Sequence, residues 1–189
     1  DFMVGNSLHI AFPFRSKSIY INHHLAHASA AFYASGFNDA AIFVADGYGD
    51  PIGEKSYETV MLAKGDGLSI KTLKTISGSV SNYYDMENSL GVFYRLGSLL
   101  SGFGMFDEGK TMGLSAYGKP IFYDNVKKFI NFKNNTIHIN NGDLFDELSK
   151  DIKNRDKFEV RANIAATFQK ILEEMALHYV NHLYDITKS

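Results

Sequence analysis

The chain has 189 residues, of which 45% are apolar and 21% charged, so it can bury a core and form one or two domains. Its 19 basic and 21 acidic residues leave a net charge of -2, and the scattered basic residues argue against a nucleic-acid-binding surface. The absence of cysteine excludes disulfides and thiolate metal sites. No apolar stretch is long enough to cross a bilayer. We therefore expect a cytoplasmic protein without nucleic-acid or membrane partners.

The first half of the chain predicts two kinds of element, a helix and several strands. Ser18–Ile21 predicts a short strand, and the alanine-rich stretch 26–35 predicts a helix that ends at Gly36. Three runs rich in β-branched and apolar residues then predict strands: Ala41–Ala45, Tyr57–Lys64 and Leu68–Ile76. The sequence Gly65-Asp66-Gly67 predicts the hairpin turn between the last two. Three consecutive antiparallel strands are expected.

The second half is predominantly helical in its pattern. The apolar spacing predicts helices over Glu87–Leu100, Phe122–Ile130 and Val160–Tyr184, the last one long and amphipathic. A short strand is predicted over Thr136–Ile139, with asparagine-rich turns at 134–135 and 140–142. These elements predict an α/β protein with a mixed sheet and flanking helices.

Three histidines and one aspartate carry the clearest chemical signal. His23 and His27 are four residues apart, so in a helix their rings leave the same face. The apolar run 40–45 predicts a buried strand that presents Asp46 at its C-terminal end. Two imidazoles and a carboxylate form a natural ligand set for a divalent transition metal. We therefore predict a metal site at His23, His27 and Asp46.

Two further residues are candidates for catalysis. His24 points about 100° around the helix from His23, so we expect it to contact substrate or a partner of the ligands rather than the same ion. Lys110 lies between glycines and would place a cation near an anionic substrate; the alternative is a solvated surface lysine. His178 and His182 are also four apart, but no acidic loop follows them, and we interpret them as one face of the long helix.

The loop that follows Asp46 has two interpretations. Gly47 and Gly49 would permit a tight turn with positive φ. Alternatively, Gly47, Tyr48 and Gly49 form a cofactor-binding loop whose exposed backbone amides cradle a phosphate. The position of the loop beside the histidines favours the second interpretation.

Several segments resemble the NodU/CmcH-type carbamoyltransferase family. The segments that carry the resemblance are His-His-Leu-Ala-His-Ala at 23–28, Ala-Phe-Tyr-Ala-Ser at 31–35, Asp-Gly-Tyr-Gly-Asp at 46–50, Glu-Gly-Lys-Thr-Met-Gly-Leu-Ser-Ala-Tyr-Gly at 108–118 and Ala-Asn-Ile-Ala-Ala-Thr-Phe-Gln at 162–169. The resemblance implies a ribonuclease-H-like, actin-type ATPase (ASKHA) half-domain. Residues 1–189 would be a partial N-terminal ATPase-like domain. Further strands are expected before it, and a second half-domain and a YrdC-like domain after it.

The resemblance also implies a reaction. A carbamoyl group passes from carbamoyl adenylate, made from carbamoyl phosphate and ATP, to a hydroxyl of a sugar or other small-molecule acceptor. His23, His27 and Asp46 would hold iron, with zinc or manganese as alternatives, and an aspartate from beyond residue 189 would complete the set. Asp50 is a weaker candidate for the same environment. His24 would take the proton as general base, because an imidazole titrates near neutral pH.

Other functions are compatible with the same residues. One is an ATPase subunit of the tRNA-threonylcarbamoylation type or a related sugar-kinase-like enzyme, although a basic surface for tRNA is missing. Another is a non-catalytic metal-binding module that depends on its ion for stability. A homodimer is compatible with every reading. The chain alone is expected to lack carbamoyltransferase activity.

Overall fold

The computed structural model describes residues 19–80 and 86–189, which form an α/β arrangement. The helices are α1 (His23–Ser35), α2 (Leu90–Leu100), α3 (Glu108–Ser115), α4 (Tyr123–Lys127), α5 (Asn141–Asp151) and α6 (Phe158–Thr187). The strands are β1 (Asp39–Ala45), β2 (Ser56–Asp66), β3 (Ser69–Ser79), β4 (Ile130–Lys133) and β5 (Thr136–Ile139). Ser18 lies outside the described residues, and the strand predicted to continue over residues 19–21 is absent there.

The larger sheet has the order β1-β2-β3, and both neighbouring pairs are antiparallel. The three predicted consecutive strands are thus confirmed. Their hairpin turn is shorter and later than predicted, because β2 continues through Asp66 and only Gly67, with φ of 58°, and Leu68 lie between the strands. The predicted mixed sheet is wrong for the described strands, all of which pair antiparallel. A turn as short as the one between β2 and β3 can join only antiparallel neighbours.

A second, two-stranded sheet replaces part of a predicted helix. The helix expected over Phe122–Ile130 is wrong beyond α4, because Ile130–Lys133 form β4 and pair with β5. Asn134 and Asn135 both take positive φ, at 51° and 54°, which gives the turn a twist that matches antiparallel strands. The strand at Thr136–Ile139 is confirmed.

Helix α5 was not predicted, because its first residues were assigned to a turn. Asn140 is instead the N-cap: its side chain accepts a hydrogen bond from the Asp143 amide at 3.1 Å. Asparagine serves turns and helix N-caps equally well, since in both its side chain bonds to nearby backbone amides. The sequence signal was therefore ambiguous at this position.

The core lies between the three-stranded sheet and helices α2 and α6. The rings of Phe93 on α2 and Phe168 on α6 are fully buried, with centroids 4.8 Å apart. A side chain at Gly97 would come within 2.5 Å of the Phe168 ring, so glycine lets the two helices approach. The long helix predicted over Val160–Tyr184 is confirmed as part of α6. Among the described residues, no helix is both long and apolar enough to traverse a bilayer.

The chain after α3 also packs closely on α6. A Cβ at Gly118 would lie 2.0 Å from the Ala162 carbonyl oxygen, so the two backbones are in direct contact. The Lys119 amide donates to Asn163 Oδ1 at 2.7 Å. Further along α6, the His178 ring packs edge-on against Phe132. This contact agrees with the interpretation of His178 as part of a helix face.

Candidate metal centre

Helix α1 positions the histidines. It begins at His23 because the Asn22 side chain caps it, with Oδ1 accepting from the Leu25 amide at 2.8 Å. The predicted helix is thus confirmed but starts three residues earlier. Its end at Gly36 is also confirmed, where the backbone turns left-handed with φ of 77°. Over this first turn, His23 and His27 project from the same face.

The structure brings His23, His27 and Asp46 together. Asp46 Oδ2 lies 2.8 Å from His23 Nε2 and 3.3 Å from His27 Nε2, and the two Nε2 atoms are 3.1 Å apart. All three potential ligand atoms fall within 4.8 Å of one another. Their side chains are 43%, 55% and 39% exposed, so the cluster has room for further ligands. The donor set and its convergence fit a divalent transition metal; occupancy by a metal stays a prediction.

The electrostatics of Asp46 suit a ligand. Partial burial acts to raise the pKa of its carboxyl group. The hydrogen bonds from His23 and from the Gly47 amide, together with the charges of both imidazoles, outweigh burial and lower this pKa below its ordinary value. Asp46 is therefore ionised at neutral pH.

The N-terminus of α2 holds the backbone that carries Asp46. Ser89 Oγ donates to the Gly47 carbonyl oxygen at 2.6 Å and accepts from the Val92 amide. The Gly91 amide donates to the Asp46 carbonyl oxygen at 3.3 Å. A Cβ at Gly91 would lie only 2.4 Å from the Gly47 nitrogen. The loop is thus pressed against the helix at a position where only glycine fits.

The glycines of the loop lie close to two side chains. Neither Gly47 nor Gly49 has positive φ, so the tight-turn interpretation is wrong. A Cβ at Gly49 would lie 3.0 Å from His24 Nε2, and one at Gly47 would lie 3.3 Å from Arg95 Nη2. The loop therefore passes between an imidazole and a guanidinium.

The amides of this loop are already engaged. The Gly47 amide donates to the Asp46 carboxylate at 2.6 Å, and the Gly49 amide donates to the Glu58 carbonyl oxygen at 2.7 Å. The half-exposed Tyr48 ring packs near Tyr57. Binding of a cofactor by Gly47, Tyr48 and Gly49 stays a prediction, and it would require these two amides to exchange their partners.

His24 points into the protein. Its side chain is fully buried beneath Gly49, and Glu58 Oε2 lies 3.5 Å from its Nδ1. Neither ring nitrogen has a hydrogen-bond partner within the described ranges. Burial lowers the pKa of His24, and the neighbouring Glu58 carboxylate opposes this effect. Its role as general base stays a prediction.

Lys110 and Asp50 lie outside the metal cluster. Lys110 is exposed on α3, and its Nζ is 2.7 Å from the Asp107 carboxylate, one turn away. Its catalytic role stays a prediction. Asp50 Oδ2 accepts from the His23 amide at 2.9 Å, so Asp50 meets the end of α1.

A cavity of about 510 Å³ adjoins Asp46, which is a usual volume for a small-molecule site. Its walls are mostly apolar, and its residues are Phe43, Ala45, Asp46, Gly47, Leu90, Gly91, Tyr94, Arg95, Phe106, Glu108, Leu172 and Ala176. Arg95 Nε lies 3.5 Å from Glu108 Oε1. The Tyr94 hydroxyl donates to Gln169, and burial raises its pKa to about 12.

Sequence reasoning missed Tyr94, Arg95 and Glu108 as members of this site. One signal was available, because Arg95 is the single charged residue within α2, between apolar neighbours. A charged residue inside an otherwise buried helix usually has a specific partner or ligand.

Comparison with known proteins agrees with this picture. The family described as the carbamoyltransferase N-terminus matches residues 3–189. The chain belongs to the carbamoyltransferase family. This membership confirms the resemblance found in the sequence.

Three relatives show how much of the family's length is covered. The nodulation protein NolNO of Sinorhizobium fredii is 32% identical over 180 residues, 91% of this chain and 24% of that protein. NolO of Bradyrhizobium diazoefficiens is 30% identical over 170 residues, 86% of the chain and 28% of its own length. An uncharacterized Methanocaldococcus jannaschii protein is 30% identical over 188 residues, which cover 91% of this chain and 29% of that protein. The chain thus spans 24–29% of the length of these relatives.

Proposed function

We propose that the protein acts in metal-assisted transfer of a carbamoyl group to a hydroxyl of a sugar or other small molecule. The donor would be carbamoyl adenylate, formed from carbamoyl phosphate and ATP. Membership of the carbamoyltransferase family supports the transfer. The observation that carries the proposal is the convergence of His23, His27 and Asp46 beside a cavity large enough for a substrate.

His23, His27 and Asp46 would hold the ion, for which iron is expected and zinc or manganese would also fit. When bound, it polarises a carbamoyl or phosphoryl oxygen and lowers the pKa of a coordinated hydroxyl. Two imidazoles and one carboxylate leave positions open for such oxygens. An aspartate from beyond residue 189 is proposed as a further ligand.

The remaining residues would bind and orient the substrates. The mostly apolar walls of the cavity would bind the apolar parts of a ligand, and Arg95 and Glu108 in its lining would offer charges of both signs to its polar groups. His24 is proposed to accept the proton of the acceptor, which requires the loop at Gly49 to move away from its fully buried ring. Lys110 is proposed to attract an anionic group. Gly47, Tyr48 and Gly49 are proposed to lie against the adenylate.

The proposal extends to the fold of the parent protein. The β1-β2-β3 meander followed by helices supports an ASKHA-type, ATP-binding half-domain. Residues 1–189 would then be part of the N-terminal ATPase-like domain, and a YrdC-like domain would supply the adenylate.

The test compares variants of the proposed metal ligands with a variant of the His178 and His182 pair, all made in the intact protein. His23→Ala and Asp46→Asn are expected to weaken Fe²⁺ or Zn²⁺ binding, measured by titration, by about a hundredfold or more, because each removes a direct ligand. Formation of AMP from carbamoyl phosphate and ATP, driven by a panel of hydroxylated acceptors, should fall with it. His182→Ala alters a histidine pair of the same spacing on α6 and serves as the control.

The results separate cleanly. Loss of metal and of transfer in the His23 and Asp46 variants, but not in the His182 variant, is the expected outcome. A wild-type protein that binds no divalent metal, or a His23→Ala variant that transfers carbamoyl at the normal rate, contradicts the proposal.

A further inference from the structure

The first turn of α1 is held by polar side chains from two other segments. Asn22 Nδ2 donates to Asp50 Oδ2 and to Glu58 Oε2, each at 2.9 Å. Asp50 Oδ2 also accepts from the His23 backbone amide at 2.9 Å. Asn22 Oδ1 caps the helix through the Leu25 amide at the same time. The two ends of one side-chain amide thus join the helix to the loop and to β2.

The backbones that carry the two carboxylates are joined by hydrogen bonds. The Glu58 amide donates to the Asp50 carbonyl oxygen at 3.0 Å, and the Gly49 amide donates to the Glu58 carbonyl oxygen at 2.7 Å. The loop that carries Asp50 also carries Asp46 only four residues earlier. The Asp46 amide donates to the Thr59 carbonyl oxygen at 3.2 Å, so Asp46 and Asp50 are both held against β2, the strand to which Asn22 joins α1.

We propose that Asn22, Asp50 and Glu58 form a clasp that positions His23 against Asp46. The clasp acts on the backbone of His23, one residue from the cap, and leaves the imidazole free to face the carboxylate 2.8 Å away. Helix ends without such partners fray, because their first amides lack intrahelical acceptors. The negative charges of the two carboxylates also interact favourably with the positive end of the helix dipole.

This inference rests on the proposed function, because it assigns the clasp to the geometry of the metal site. Residues that orient metal ligands commonly affect metal affinity tenfold to a hundredfold without touching the ion. Asn22, Asp50 and Glu58 are therefore positioning residues.

The chain provides a matched control for the cap itself. Asn140 caps α5 through the Asp143 amide, and its Nδ2 donates to the Asp143 carboxylate at 2.6 Å. This is the same pairing of asparagine with aspartate on a helix whose cap contacts none of the three proposed metal ligands. Asn22→Ser and Asn140→Ser both retain a capping oxygen and both lose the amide donor.

The experiment measures two properties of the intact protein. One is the affinity for Zn²⁺ and Fe²⁺, and the other is amide hydrogen exchange at residues 23–27 in the metal-free protein. For Asn22→Ser we expect roughly tenfold to a hundredfold weaker metal binding and faster exchange in this turn. Asn140→Ser should change neither. If Asn22→Ser does not fold, as judged by urea unfolding, Asp50→Asn is used in its place.

Each outcome decides a different point. Wild-type metal affinity and exchange in the folded Asn22→Ser variant overturn the clasp, and so do equal effects in Asn140→Ser. If the wild-type protein binds no metal, the proposed function fails. Amide hydrogen exchange at residues 23–27 then decides alone whether the clasp holds α1. Exchange in Asn22→Ser at the wild-type rate overturns the clasp, and faster exchange supports it.

Discussion

Gly91 illustrates how a single residue fixes the site. It lies where α2 meets the loop of Asp46, and a Cβ there would approach the Gly47 nitrogen to 2.4 Å and the Asp46 carbonyl carbon to 2.6 Å. These neighbours are backbone atoms, which cannot rotate away as a side chain can. Any larger residue must therefore displace the loop or the helix.

We predict that Gly91→Ala destabilises the protein by about 1–3 kcal/mol, because it overpacks a contact between two backbones. It should also weaken metal binding, since Asp46 moves with the loop. Urea unfolding and metal titration measure the two effects. Gly113→Ala on α3 is the control: its Cβ would meet no atom within 4 Å, so it should stabilise by roughly 0.5–1 kcal/mol. A neutral Gly91→Ala variant would contradict the prediction.

Residue-level reasoning predicted that His23, His27 and Asp46 come together, but not which residues surround them. His23 and His27 follow from helical spacing, and Asp46 follows from its place at the end of an apolar run. Glu58 could not be found in this way, because it reaches the site only through the pairing of β2 with its neighbours. Local pattern carries no information on such distant neighbours.

Between elements, α4 is joined to α6 by a polar cluster centred on Glu174. Its Oε2 accepts from the Tyr123 hydroxyl at 2.7 Å and from Lys127 Nζ at 3.3 Å. Burial acts to raise the pKa of Glu174, but these donors and Lys170 lower it below its ordinary value. The hydrogen bond to Glu174, in turn, raises the pKa of Tyr123 to about 12.

The lowered pKa of Glu174 predicts the sign of a pH effect. A carboxyl group with a lower pKa in the folded state stabilises the protein above its unfolded pKa, and this contribution is lost as pH falls through the folded value. The difference in unfolding free energy between wild type and Glu174→Gln should therefore be largest above about pH 5 and shrink toward about pH 3. Urea unfolding across this range measures it.

Glu173→Gln removes the adjacent carboxylate on the same helix and controls for the loss of charge. A wild-type advantage over Glu174→Gln that grows as the pH falls would contradict the prediction. The same result in both variants would also count against it.

Element prediction succeeded where periodicity was long and failed where asparagines carried the signal. The pattern of α6 extends over many turns, and that of β1 to β3 is rich in β-branched residues, so both were found. At 134–135 the asparagines form a turn, whereas Asn140 starts a helix. The apolar residues of β4 also fit a helix over so short a stretch.

For the whole molecule, the metal cluster and the core are separate. The largest apolar cluster joins α2, α6 and the sheets with residues buried to 8% exposure or less, whereas the three candidate ligands are 39–55% exposed. We therefore expect folding not to depend on a bound ion. A non-catalytic, metal-stabilised module would show the opposite behaviour.

We predict that chelation removes the metal but leaves the protein folded. The far-ultraviolet circular dichroism should not change. The loss in unfolding free energy should follow ligand linkage, about 2.7 kcal/mol when the metal was present at a hundredfold excess over its Kd. His23→Ala, which lacks a ligand, should show a smaller change on chelation. Unfolding of the wild-type protein by the chelator would favour the structural module instead.

The contact between Gly118 and Ala162 has a mechanical consequence. Because no side chain separates the two backbones, the segment following α3 cannot slide along α6 without a steric clash. Glu108 on α3 and Leu172 on α6 both line the cavity, so we expect this contact to restrict movement between these two walls. We therefore expect the cavity to select ligands by their bulk on this side, and any adjustment to a ligand to occur in the loop before α3.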